Sequence, residues 1–252
     1  MDARHDRSAA RQNSRFAAIE GNALFLMKRI SASGTRNSLR SGHKANEMAV
    51  ASIQSDGTIV ALGGRRIDAE PTLTPRFPFD QVGRVGMEIS DRLRRSYAVV
   101  LVCSAACGAD LIALDAAQKM RLRTRIVLPF SAVRFRETSV VDRPRPEFWG
   151  SMFDRVIDVA RAHGDLVELN ADGSDDAYST ANAVIIEEAR KLAGANAEGR
   201  ASRPLPVIAL VVWDGASRGA DDNTKKFVKL AQESGFRIEQ IITNGAATGR
   251  AQ

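Results

Sequence analysis

Read for polar and apolar positions, residues 57–243 alternate between two patterns. Apolar runs at 58–62, 98–102, 125–130 and 206–213 predict strands buried on both faces, with a short strand at 166–169 and a last one at 236–243. Between them lie stretches with helical spacing. Val82, Val85, Ile89 and Leu93 predict a helix over 82–95, and Leu111, Leu114 and Ala117 predict another running to Lys119. Met152, Phe153, Val156 and Val159 mark a helix over 148–162, and further helices are expected at 178–192 and 224–234. Gly235 fits the C′ position of the last. Strands alternating with helices in this way predict an α/β, Rossmann-like fold: a mostly parallel sheet with helices on both faces, in a single domain. Residues 69–80, with prolines at 71, 75 and 78, are expected to form a surface loop, as are 131–146 and 194–204.

The ends read differently. Residues 1–56 are rich in Ser, Asn, Arg and Ala and predict a flexible basic leader, or an over-extended start with translation beginning at Met48. One short amphipathic helix through Phe16, Ile19, Leu24 and Met27 could form within them. Residues 244–252 are expected to be a disordered tail. Of the net charge of +6, +5 lies in residues 1–50, which carry nine Lys/Arg against four Asp/Glu. The body is therefore near neutral, and a dedicated nucleic-acid surface is not favoured. No apolar run approaches the roughly 20 residues of a membrane span. Cys103 and Cys107 have no further Cys or His cluster to complete a metal site, and they read as small buried residues at a turn. A cytoplasmic protein without metal or cofactor is the expectation, and a homo-oligomer is compatible with the sequence.

Ligands on doubly wound sheets sit beyond the C-terminal strand ends. Four loops should collect there: 63–66, 103–110, 129–139 and 213–224. In the second, small residues from Cys103 to Gly108, including Ser104 and Ala105, lead into a helix. Such a turn lets a backbone approach a ligand, and the helix N-terminus favours an anion. The alternative is a tight turn that packs a helix on a sheet and binds nothing. Asp110, in the first helical turn, would repel a close phosphate and suits a ribose hydroxyl better. Arg134 and Arg136 could clamp a phosphate or carboxylate, or be solvated. Glu137 is a free carboxylate for acid/base work, with a salt bridge as the alternative. Asp214 could orient a ribose or cap its own turn. Tyr178, Asn182, Glu187 and Glu188 are counted mainly as surface, and His163 as a helix C-terminal residue.

The order of these motifs resembles a known superfamily. A strand ending in Gly63-Gly64-Arg65, a helix, a strand, and then Ser104 to Asp110 on a helix resembles the DprA/Smf and Lonely Guy (SLOG) group of Rossmann-like domains. The later strand ending Trp213-Asp214-Gly215, with Thr224 on the next helix, resembles that group's second phosphate loop. The resemblance implies a site made of Gly63, Gly64, Arg65, Ser104, Ala105, Gly108, Asp110, Arg134, Arg136, Asp214, Gly215 and Thr224. It implies binding of a nucleotide or nucleotide-derived small molecule, as in a sensor module. The alternatives are hydrolysis of a nucleotide N-glycosidic bond and DprA-like binding of single-stranded DNA. Lonely Guy enzymes carry a catalytic glutamate where this chain has Phe227, and glycines where it has Asp221 and Asp222.

Overall fold

The computed structural model describes residues 57–70, 73–171, 175–199, 203–219 and 221–245. The leader, and the tail beyond 245, lie outside them. Residues 53–252 belong to one compact unit. Its elements are β1 (Thr58–Gly64), α1 (Val82–Arg95), β2 (Ala98–Cys103), α2 (Ala109–Lys119), β3 (Arg123–Leu128), α3 (Ala132–Ser139), α4 (Pro146–Ala162), β4 (Leu166–Glu168), α5 (Asp175–Gly199), β5 (Val207–Trp213), α6 (Asn223–Glu233) and β6 (Arg237–Ile242). The six strands form one sheet in the order β4-β3-β2-β1-β5-β6, and every pairing is parallel. The fold is therefore α/β and Rossmann-like.

Side-chain alternation along the strands builds two cores. From β1, Val60 and Leu62 join α1, α2 and α4 through Val85, Ile89, Leu111, Leu114, Trp149 and Phe153. Ile59 and Ala61 face the other way, onto α5 and α6 through Ala181, Ile185, Phe227 and Ala231. Each large side chain so buried contributes about 1.5–3 kcal/mol. Continuous apolar strands are the pattern that burial on both faces requires.

Three loop assignments change. Residues 131–146 are not one loop: Ser131 caps α3 by accepting from the Arg134 N–H, and Phe135 and Val140 are buried. α5 continues to Gly199, through most of the polar stretch expected at 194–204. The proline-rich 69–80 segment is not wholly superficial, because Phe77 is fully buried. The Asp68 carboxylate holds it in place by accepting from the N–H groups of Arg76 and Phe77. At the far end Asn244 donates to Pro75 O, so the first residue assigned to the tail is tied to this segment.

The strand order fixes where a site can form. The chain adds β2, β3 and β4 to one side of β1, then crosses back to add β5 and β6 on the other. The direction reverses between β1 and β5. Loops leaving those two strands part there and open a crevice at their C-terminal ends.

Candidate functional site

The crevice is real. A cavity of about 330 Å³ lies at this reversal, within the range of small-molecule pockets. Its wall includes Gly63 to Ala69 from the end of β1, Ser104, Ala106 and Asp110 at the β2–α2 turn, and Asn223 and Thr224 at the start of α6. Tyr178, Ala181, Asn182 and Ile185 add one stripe of α5, and Arg143 and Arg218 come from loops. Leu62, Phe135, Ile185 and Phe227 give it an apolar lining.

Of the residues anticipated from sequence, the fold brings Gly63, Gly64, Arg65, Ser104, Asp110 and Thr224 onto this wall. Ala105, Gly108, Arg134, Arg136, Asp214 and Gly215 are not among the residues lining it. Arg134 lies over the Phe130 ring at 4.5 Å, and Arg136 makes a two-pronged pair with Asp154 at 2.8 and 3.0 Å.

The glycines have structural reasons to be glycine. A Cβ on Gly63 would stand 2.6 Å from the Phe227 ring, and one on Gly64 would stand 2.4 Å from Ala109 Cβ. Gly108 has φ 115°, a conformation that side chains disfavour, and a Cβ there would lie 2.6 Å from Arg65 O. It is the chain's own backbone that comes close at this turn. Arg66 and Gly108 form an antiparallel bridge, with the Ala109 N–H donating to Arg65 O and the Ile67 N–H donating to Cys107 O. The turn's amides are spent similarly: Cys107 N–H donates to Ser139 O and Ala106 N–H to Asp110 Oδ2. Phe227 is fully buried, a core aromatic packed against Gly63.

Arg65 is 4% exposed and its guanidinium is fully engaged. Nε donates to Asp214 Oδ1 at 2.8 Å, while the terminal nitrogens donate to Asp222 at 2.6 and 2.8 Å and to Ala216 O. Trp213 lies beneath it at 5.8 Å. Asp222 also caps α6 through the N–H groups of Thr224 and Lys225. Burial opposes the charge on Asp222, yet Arg65 and the Arg218 and Lys225 N–H groups hold its carboxyl well below the usual range. Burial likewise opposes the charge on Arg65, and its two carboxylate partners outweigh it. Asp222 and Asp214 thus clamp Arg65 across the crevice floor and join β1 to the loop after β5.

The remaining wall is less satisfied. Among the described residues four buried side-chain polar atoms have no hydrogen-bond partner, and three of them belong to this wall: Arg66 Nε, Arg143 Nε and Asn223 Oδ1. Such an atom costs about 1–3 kcal/mol when left unmet, so three on one cavity need an explanation. Asp110 is 8% exposed, and burial pushes its pKa up to about 7, against the smaller opposing pull of the Ala106 N–H and Arg66. Arg218 is lowered by burial and by repulsion from Arg65. Asn182, counted as surface from sequence, sits on the wall and donates to Asn223 O at 2.9 Å. Its signal was the stripe Tyr178, Asn182, Ile185 at helical spacing. Arg66 and Asn223 lie in the 63–66 and 213–224 loops expected at the site, and Arg143 had no such signal.

No protein-family model and no curated protein matches the sequence. Among solved structures, the chain is similar to the crystal structure of Streptococcus suis SuiB bound to S-adenosylmethionine. The identity is 9% and the TM-score 0.20, over 94% of this chain and 53% of that one. The chain thus spans about half the length of that protein, at a likeness too low to carry anything across. Among the described residues, no helix is long and apolar enough to cross a membrane.

Proposed function

We propose that the protein binds a nucleotide or nucleotide-derived small molecule in the crevice between β1 and β5. The observation that carries the reading is a cavity at the strand-order reversal whose wall combines apolar side chains with Arg66, Arg143 and Asn223, each of which holds a buried polar atom without a hydrogen-bond partner. Two cationic side chains, one amide and the apolar lining of Leu62, Phe135, Ile185 and Phe227 suit a ligand with an anionic group, a hydrogen-bonding edge and a flat apolar body. The motif order that resembles the DprA/Smf and Lonely Guy group supports the same class. The test is calorimetric titration of the wild type and of Ser104→Leu with nucleosides, nucleotides and nucleotide-derived cofactors. Ser104 lines the cavity and is only partly buried, so leucine fills space without disturbing the core. Saturable binding by the wild type, lost in Ser104→Leu, is expected; equal affinity in both would reject this cavity.

A second reading draws on Asp110. A buried carboxyl with a pKa of about 7 on a ligand cavity is suited to proton transfer. Hydrolysis of an N-glycosidic bond would use it as the acid that protonates the departing base, while water adds to the anomeric carbon and loses its proton to solvent. Release of free base from nucleotides, abolished by Asp110→Asn, is its test; absence of release from the wild type would reject it.

A further inference from the structure

Arg66 and Arg143 share one partner. A terminal nitrogen of Arg66 donates to Asp142 Oδ1, and Arg143 Nε lies 3.7 Å from Asp142 Oδ2. The second distance is an ion pair without a hydrogen bond. Both arginines line the cavity, whereas Asp142 is not among its lining residues. All three side chains are partly exposed, at 29%, 25% and 34%. Asp142 therefore holds the pair from the rim, and the two Nε atoms are buried without a hydrogen bond. Arg66 is also steadied by Cys107, whose Sγ accepts from it at 3.8 Å.

One carboxylate cannot satisfy two guanidinium groups. Each guanidinium presents a fork of donors that matches two oxygens of one anion. A phosphate monoester has three terminal oxygens and up to two charges, so it can bond both forks where Asp142 bonds one. We propose that Arg66 and Arg143 are the anion-binding end of the crevice, taking a phosphate monoester, and that Asp142 is an internal carboxylate the phosphate displaces. This rests on the reading of the crevice as a ligand site and adds its ligand's charged group and a built-in competitor. Arg65 is excluded from that role by its own bonds to Asp214 and Asp222. Asp110, close enough to Arg66 for their charges to interact, disfavours a phosphate beside it and so leaves the uncharged part of the ligand to its side of the cavity.

The experiment is calorimetric titration with inorganic phosphate, adenosine 5′-monophosphate and adenosine at neutral pH, on the wild type, Asp142→Asn and Arg143→Gln. Asp142 is on a surface loop, so asparagine removes the competing charge without touching the core. A partly exposed ion pair is worth little, so phosphate and the monophosphate should bind about 1.5-fold to fivefold more tightly to Asp142→Asn. Both should weaken by tenfold or more in Arg143→Gln, roughly the worth of a charge-assisted hydrogen bond. Adenosine should not respond to either change. Unchanged or weaker phosphate binding in Asp142→Asn overturns the proposal, as does absence of phosphate binding in both proteins. Adenosine binding that persists in that case would leave the crevice as a nucleoside site and remove only its anion end. Phosphate binding that tightens as expected, without adenosine binding, would keep the anion end and remove the nucleoside.

Discussion

Asp110→Asn gives the sharpest test of the site's electrostatics. The carboxyl is buried at the start of α2, with one oxygen accepting the Ala106 N–H at 3.2 Å. Its folded-state pKa of about 7 stands above the ordinary 3.8. Below about pH 4 the group is neutral in both folded and unfolded chains, and burial exacts no charge penalty. As pH rises from there to 7, the unfolded chain gives up its proton while the folded chain keeps it, so stability falls. Above the folded pKa the whole penalty is present. A rise of about three units at 1.36 kcal/mol each makes it about 4 kcal/mol. Asparagine cannot ionise and retains an oxygen for the Ala106 N–H. Urea unfolding of both proteins from about pH 4 to about pH 8 should show the variant gaining on the wild type across that window, by up to about 4 kcal/mol. Any pH-independent effect of the new amide shifts the whole difference curve without changing its slope. A flat difference would refute the claim that Asp110 is charged only at a cost.

Arg65→Ala would leave Asp222 without its cation and Asp214 with only Arg76, at 3.1 Å, and should lower stability by about 3–5 kcal/mol in urea unfolding; a change below about 0.5 kcal/mol would mean Arg65 is solvated. Gly63→Ala forces a Cβ to within 2.6 Å of the Phe227 ring and should cost about 1–3 kcal/mol of stability. Gly63→Ala combined with Phe227→Leu, which relieves the clash, should cost less than the two changes added together, measured as a double-mutant cycle. Asn182→Ala should weaken nucleotide binding in a titration while leaving the melting temperature within a few degrees, because Asn182 is only half-buried.

The fold was legible because its signals are local. Continuous apolar runs marked the strands, and Val82, Val85, Ile89 and Leu93 marked α1 with the bounds the structure shows. α3 was missed because eight residues with three charged side chains carry too short a period, and its cap, Ser131, does not differ from a loop serine by sequence. The candidate site was legible as a place and less so as a set of residues. Strand ends put Gly63, Gly64, Ser104, Asp110 and Thr224 on one cavity wall. What Arg65 touches could not be read, since its partners Asp214 and Asp222 lie 149 and 157 positions away. Arg136 lies off the cavity wall, its carboxylate partner Asp154 being on the following helix. Asn182 shares a helical stripe with Tyr178 and Ile185, and Asn223 lies in the 213–224 loop expected at the site, whereas Arg143 reaches the cavity through the path of the 140–145 loop, which no local pattern encodes.

The central claim, that the β1–β5 crevice is the ligand site, is tested most directly by mapping backbone amide chemical shifts while adenosine 5′-monophosphate is titrated in. Saturating shifts at Gly64, Arg66, Ser104, Asn182 and Thr224, with residues at the opposite strand ends such as Thr58 and Arg123 unmoved, is the predicted result. Saturating shifts confined to residues outside the cavity wall, or no shifts at any of these five amides, would contradict it.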